Sequence, residues 1–193
     1  MMNAMQVRAQ RTDEIERFDE FADDLLAERG IRPLAILGAA KVDDLLLEIL
    51  RRYLLPKAAR PKEPDELLEG GDSSPLSTFS SRIKMCRRLG LIDQGLAQVL
   101  DQIRRIRNDG AHSLSFGKPS SPVRDRFSEI KKAVTGRTFY LLTQKRYFGD
   151  AALSDVEEWQ CLFLAVCVLL ESIRKSLRPT RGNRRALSIA ASR

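Results

Sequence analysis

Apolar side chains recur every three or four residues along almost the whole chain, and this spacing is the strongest constraint on the fold. Each such stretch forms one apolar stripe on a helix, which leaves water only by packing against other helices. With 193 residues, the chain suffices for one compact domain and is too short for two ordinary ones. We therefore predict an all-α fold, a single-domain bundle of about five to seven helices that spans residues 1–177.

Capping and breaking residues mark the ends of the predicted helices. The predicted N-caps are Thr12 or Asp13, Ser77, Asp93 and Ser154, and Gly30, Pro56, Gly90 and Gly110 end the helices that precede them. Ser154 forms a capping box with Glu157, and the helix that follows is apolar almost all round, so we predict that it is central. A shorter helix is predicted from Val123 to Val134. Residues 138–143 are the one strand-like stretch.

Two segments have the composition of chain outside a core. Residues 56–75 are rich in proline, glycine and charged residues, which predicts a long surface loop. Residues 178–193 hold five arginines and no acid, and we predict a disordered tail. Because the whole chain carries +7, only +2 is left for the other residues, so the folded body is predicted to be nearly neutral. Four arginines of the tail are the predicted nucleic-acid contacts, and their binding to phosphate would be salt-sensitive. They are Arg178, Arg181, Arg184 and Arg185.

Histidine and cysteine usage excludes several kinds of site. His112 is the only histidine, so a site that needs two imidazoles is impossible within one chain. The cysteines lie in apolar stretches without a close pair, which excludes a disulfide framework and a four-cysteine metal site. Gly110 and Gly117 are spaced too far apart for a phosphate-binding loop. We therefore expect no metal and no cofactor, and we expect reduced cysteines in the core.

The chain is expected to be soluble and cytoplasmic. Its first residues include no apolar stretch behind the charged ones, unlike a secretory signal. The longest apolar run, residues 161–170, is about half as long as the ~20 residues that a membrane-spanning helix needs.

The turn at Gly90, between the predicted third and fourth helices, allows a DNA-reading helix-turn-helix as one interpretation. The second of those helices would present Asp93 and Asp101 to the DNA, and carboxylates are repelled by phosphates. We favour the alternative, an ordinary helical corner of the core.

Residues 103–112 form the most unusual polar stretch. The two isoleucines face the core, so Arg107 lies at the edge of the buried stripe. Asn108 and His112 stand four residues apart and share a face if the helix continues. A guanidinium can hold a phosphate, and an imidazole can move a proton near neutral pH. Arg107, Asn108 and His112 are therefore candidate catalytic residues for phosphodiester cleavage without a metal.

A structural interpretation of the same stretch stays open. Arg107 would pair with Asp109, and Gly110 would help to end the helix. Asp43 and Asp44 of the second helix are likewise expected to pair with arginines of the fourth, in a structural role.

Three segments together resemble the mannitol operon repressor family, often called MltR. They are residues 35–46 (AILGAAKVDDLL), 74–84 (SPLSTFSSRIK) and 103–112 (IRRIRNDGAH), and the resemblance covers roughly residues 14–177. It implies an all-helical bacterial protein linked to the control of mannitol uptake and use, in a family with no evident DNA-reading motif. The arginine-rich C-terminus and the proline-rich loop depart from the family.

The third segment is also similar to the HEPN signature, here Arg107, Asn108 and His112. That resemblance implies a helical bundle, and many proteins with the signature are dimers that cleave RNA at a shared interface, whereas others are inactive binding relatives. Two functions are therefore expected as alternatives. One is a non-enzymatic regulatory protein that acts through a protein partner or through nucleic acid, and the other is a metal-independent ribonuclease or RNA-binding protein. A homodimer is expected for either.

Overall fold

The computed structural model describes residues 17–54, 65–68, 74–112, 116 and 122–178. Within these residues every regular element is a helix, and there are seven, which confirms the all-α prediction. The first, α1, covers 17–27 in the described chain. The others are α2 (Ile31–Tyr53), α3 (Phe79–Arg88), α4 (Gln94–His112), α5 (Pro122–Val134), α6 (Thr138–Phe148) and α7 (Asp155–Ser176).

Helices α2 and α7 form the centre of the bundle and pack against each other. Helix α7 also packs on α6, while α4 packs on α2, α3 and α5. The middle of α7, residues 159–167, is buried on every side, as its apolar sequence predicts. Close contact between the two central helices depends on Gly38, because Phe163 of α7 lies directly over its Cα.

Polar side chains of α7 link it to the other helices. The Gln160 amide donates hydrogen bonds to the carbonyl oxygens of Leu25, Leu26 and Glu28, at 2.9–3.2 Å, and so satisfies the C-terminal end of α1. Near the other end of α7, the buried Arg174 guanidinium contacts Glu171 at 2.9 Å and Glu48 of α2 at 3.3 Å.

The caps show how closely the local sequence determines the helix starts. Ser154 and Glu157 form the predicted capping box, and Asp93 accepts a hydrogen bond from the Leu96 N–H at 2.7 Å, as expected of an N-cap. Helix α3 begins one residue later than predicted, because Thr78, rather than Ser77, caps it.

The strand-like interpretation of residues 138–143 is wrong. These residues begin α6, in which Tyr140 and Thr143 are buried whereas Leu141 and Leu142 are exposed, a spacing of three rather than two. The Thr143 hydroxyl donates to the Phe139 carbonyl oxygen at 2.8 Å, one helical turn back. Packing against α7 therefore overrides the strand propensity of these aromatic and β-branched residues.

The described part of the predicted loop at 56–75 also departs from a surface loop. Leu68 is 2% exposed and belongs to the hydrophobic core. The chain folds back on itself here, since the Leu76 N–H and the Ser74 hydroxyl both donate to the Leu67 carbonyl oxygen. Two adjacent leucines among charged residues offer no period from which the burial of Leu68 could be predicted. Residues 55–64 and 69–73 lie outside the described part.

No helix among the described residues is long and apolar enough to cross a bilayer. The predicted tail at 178–193 lies outside the described residues apart from Arg178, which is exposed just beyond α7.

Candidate functional site

Three helices meet at a polar cluster formed by Asp43 of α2, Arg82 of α3 and Arg107 of α4. The Arg82 Nη1 donates to Asp43 Oδ1 at 2.8 Å, and its Nε donates to the Leu76 carbonyl oxygen at 3.0 Å. Burial raises the pKa of Asp43 above its usual value, and the hydrogen bond from Arg82, with the charges of Arg82 and Arg107, offsets this only in part. Asp43 is therefore a partly desolvated carboxylate that pairs with the Arg82 guanidinium and is also influenced by the charge of Arg107.

The expected pairing of Asp43 and Asp44 with arginines of the fourth helix is wrong. Asp43 pairs with Arg82 of α3, and Asp44 lies 3.9 Å from Lys41 on its own helix. Because α3 crosses α2 at this point, Arg82 reaches Asp43 first, and Arg107 acts on it only through its charge.

Arg107 contacts Asn108, and His112 lies on a different side of α4 from Arg107. The Arg107 Nη1 donates to Asn108 Oδ1 at 3.3 Å. Because α4 continues through His112, the five residues from Arg107 to His112 turn about 140° around the axis. Asn108 and His112, four residues apart, share a face, and Arg107 and His112 are both exposed. A catalytic role for these three residues stays a prediction.

The helix-ending role expected of Gly110 is wrong, and so is the pairing of Arg107 with Asp109. Asp109 forms an ion pair with Arg126 of α5. Gly110 is a buried residue inside α4, and a Cβ there would lie 3.3 Å from the Phe116 ring. A glycine at this position allows the ring to pack against the helix.

A basic groove lies between α3 and α4, with a volume of about 730 Å³. We call it the α3–α4 groove and define it by its charged residues. They are Lys84, Arg87, Arg88, Arg104, Arg105 and Asp101. Five cations thus face a single carboxylate.

Asp101 neutralises only one side of this groove. It contacts Arg104 at 2.8 Å and Arg105 at 2.9 Å. Partial burial raises the pKa of Asp101, but the hydrogen bonds and charges of the two arginines outweigh burial and hold the pKa below its usual value. Across the groove, Lys84, Arg87 and Arg88 form no ion pair with any described residue, and all three are exposed.

The net charge of the folded body gives no sign of this groove, because acidic and basic segments cancel in the total. Residues 82–107 hold seven cations and two acids, whereas residues 17–28 hold one arginine and five acids. The charges of the two segments nearly cancel when they are added, although α1 is acidic and the facing sides of α3 and α4 are basic. A count of charge helix by helix would have found the imbalance.

Other kinds of site receive no support from the described residues. No group of three or more metal-ligating side chains is found among them. The cysteines Cys86, Cys161 and Cys167 are buried and free, as predicted. Of the predicted tail arginines, Arg181, Arg184 and Arg185 lie outside the described residues.

Comparison with protein families, curated proteins and solved structures found no match to this chain.

Proposed function

We propose that this protein is a non-enzymatic regulator of the mannitol operon repressor type, acting through a protein partner or through nucleic acid. The observation that carries this proposal is that Asp43 and Arg82, from two of the resembling segments, form an ion pair at 2.8 Å, and that the charge of Arg107, from the third segment, acts on Asp43. The segments are separated by tens of residues, and a chance likeness of three helical stretches would not require their polar residues to meet.

The arrangement of the cluster favours binding over catalysis. The Asp43 carboxylate is engaged by Arg82, so it joins α2 to α3 and is not available as a general base. Arg107 is exposed, and its charge lies beside this pair. An exposed guanidinium held on a rigid helix suits recognition of a carboxylate or phosphate on a partner.

The test is the mannitol response of the host. Transcripts for mannitol uptake are measured in a strain that lacks the gene and is complemented with the wild type, Arg107→Gln or Arg137→Gln. Arg137 is an exposed arginine at the start of α6, so its variant matches the change in charge. We expect loss of control with Arg107→Gln alone. Unaltered transcripts in the deletion strain would refute the function, and equal behaviour of the two variants would refute the role of the cluster.

The arginine tail has its own test. Removal of residues 178–193 should weaken binding to operator DNA and flatten its salt dependence if the tail contacts phosphate. An unchanged affinity and salt slope would exclude the tail as the contact.

A second candidate function is a metal-independent ribonuclease or RNA-binding protein. It is favoured by the exposure of Arg107 and His112 and by the contact of Arg107 with Asn108. Because Arg107 and His112 lie on different sides of α4, we expect the reaction to combine His112 of one chain with Arg107 of a second. Mixed RNA is incubated with wild type and His112→Ala in the presence of EDTA. Cleavage by the wild type alone supports this function, and equal cleavage by both, or by neither, rejects it.

A further inference from the structure

We propose that the α3–α4 groove binds the sugar–phosphate backbone of a nucleic acid. This deepens the proposed regulatory function by naming the partner, and it rests on that function for its biological setting only. The groove is formed by residues of the folded body, which the total charge predicts to be nearly neutral, and none of its residues belongs to the arginine tail.

The first argument is uncompensated charge. The groove carries a net charge of +4 at neutral pH, from five cations and one carboxylate. The helix dipole favours cations in the last turn of α3 and so accounts for Arg87 and Arg88. It does not account for Lys84, one turn earlier, or for Arg104 and Arg105 on the opposite wall. Cations that repel one another across a groove are stabilised when an anion lies between them.

The second argument is the chemistry of the rest of the lining. Ser80, Gln94 and Gln98 add neutral hydrogen-bonding groups of the kind that contact phosphate oxygens. The apolar lining residues, Ile83 and Ala97, are buried in the protein. A protein partner would need an apolar or aromatic centre for its interface, whereas a phosphate backbone needs only charge and hydrogen bonds.

The third argument is length. From Gln94 to Arg105 the wall formed by α4 rises about 16 Å. Phosphates of one strand follow each other about every 3.4 Å along the axis of a duplex, so roughly four or five lie along this wall. A net charge of +4 matches that number, whereas the single phosphate of a mononucleoside monophosphate would contact only a small part of this wall.

The experiment measures salt-dependent binding of the full chain. Fluorescently labelled RNA, single-stranded DNA and duplex DNA of one length and sequence are titrated between about 50 and about 200 mM salt. The test variant carries Lys84→Gln, Arg87→Gln and Arg88→Gln. The control removes three other exposed cations that form no ion pair with a described residue. Its substitutions are Lys132→Gln on α5, Arg137→Gln at the N-cap of α6 and Lys145→Gln on α6.

For a duplex, removal of three phosphate contacts should flatten the slope of log affinity against log salt by about 2.7, and for a single strand by about 2.1. The control variant should keep the wild-type slope. Because only a difference in slope is compared, a contribution from the tail cancels. The three substituted side chains are exposed, and urea unfolding checks that both variants fold.

Several outcomes would overturn the inference. Equal slopes for all three proteins would place the phosphate contacts elsewhere, and an absence of binding by the wild type would exclude nucleic acid. Salt-sensitive self-association that only the groove variant loses would assign the groove to an acidic protein surface instead. The mannitol response does not depend on these readings, so the proposed function stands or fails separately.

Discussion

A single methyl group at Gly38 should destabilise the protein, because this position sets the distance between the two central helices. A Cβ there would lie 2.4 Å from Cγ and Cδ1 of Phe163 and 2.9 Å from Cδ2. Phe163 is fully buried, and its ring cannot leave the contact without moving other core side chains. Overpacking of this kind costs about 3 kcal/mol at the upper end, and alanine gains about 1 kcal/mol in helix propensity. We therefore expect Gly38→Ala to lower the free energy of unfolding by about 2 kcal/mol.

Urea unfolding followed by tryptophan fluorescence measures this change. Trp159 is the only tryptophan, and its ring centroid lies 6.2 Å from that of Phe163 and 3.9 Å from that of Phe127. Gly95→Ala is the control, since among the described residues a Cβ on this position in the first turn of α4 meets only Asp93 Oδ1, at 3.6 Å. We expect the control to be neutral or more stable by up to about 1 kcal/mol. If the two variants unfold at the same urea concentration, the reasoning from the Phe163 contact is refuted.

Three further changes test other contacts. Arg82→Met leaves Asp43 partly buried without its ion-pair partner, so it should lower the free energy of unfolding by about 2 kcal/mol near pH 7. This loss should shrink toward pH 4 as the carboxyl group is protonated, and urea unfolding that shows the same loss at every pH would contradict it. Hydrogen bonds from Ser154 hold the pKa of Glu157 below its usual value, so the contribution of Glu157 to stability is present above pH 4.5 and fades as the pH falls further. The melting temperatures of Glu157→Gln and of the wild type should therefore converge in acid, and a difference that stays constant with pH would refute this. Burial raises the pKa of the three cysteine thiols, to about 12 for Cys86 and about 11 for Cys161, and raises it also for Cys167. A disulfide reagent at pH 8 should therefore label none of them in the folded protein and all three in urea. Rapid labelling of the native chain would refute their burial.

Prediction from sequence worked where the signal is local. The Ser154–Glu157 capping box and the Asp93 N-cap were read directly, because a capping side chain bonds to backbone atoms two or three residues away. It failed at residues 138–143 and at Leu68, where burial depends on packing against distant chain. Six residues of mixed propensity form a helix once α7 covers one side, and no local pattern contains that information.

The candidate site shows the same division. The stretch from Arg107 to His112 is recognisable from its residue types alone, whereas the continuity of α4 places Arg107 and His112 on different sides of the helix. Two other arrangements depend on how α3 crosses α2 and α4. They are the pairing of Asp43 with Arg82 and the position of Lys84, Arg87 and Arg88 opposite Arg104 and Arg105. These groups lie on three helices, so the sequence of any one helix does not predict their proximity.

The amino-acid sequence by itself determined the helical class, most of the helix ends, the central position of α7 and the absence of any paired-histidine site. Those properties follow from the spacing of apolar residues, from short-range capping bonds and from composition. Only the tertiary structure decided which polar side chains share a site and where the charge is concentrated. Electrostatic interactions act through space over a few ångströms, and residues tens of positions apart come that close only after the helices pack.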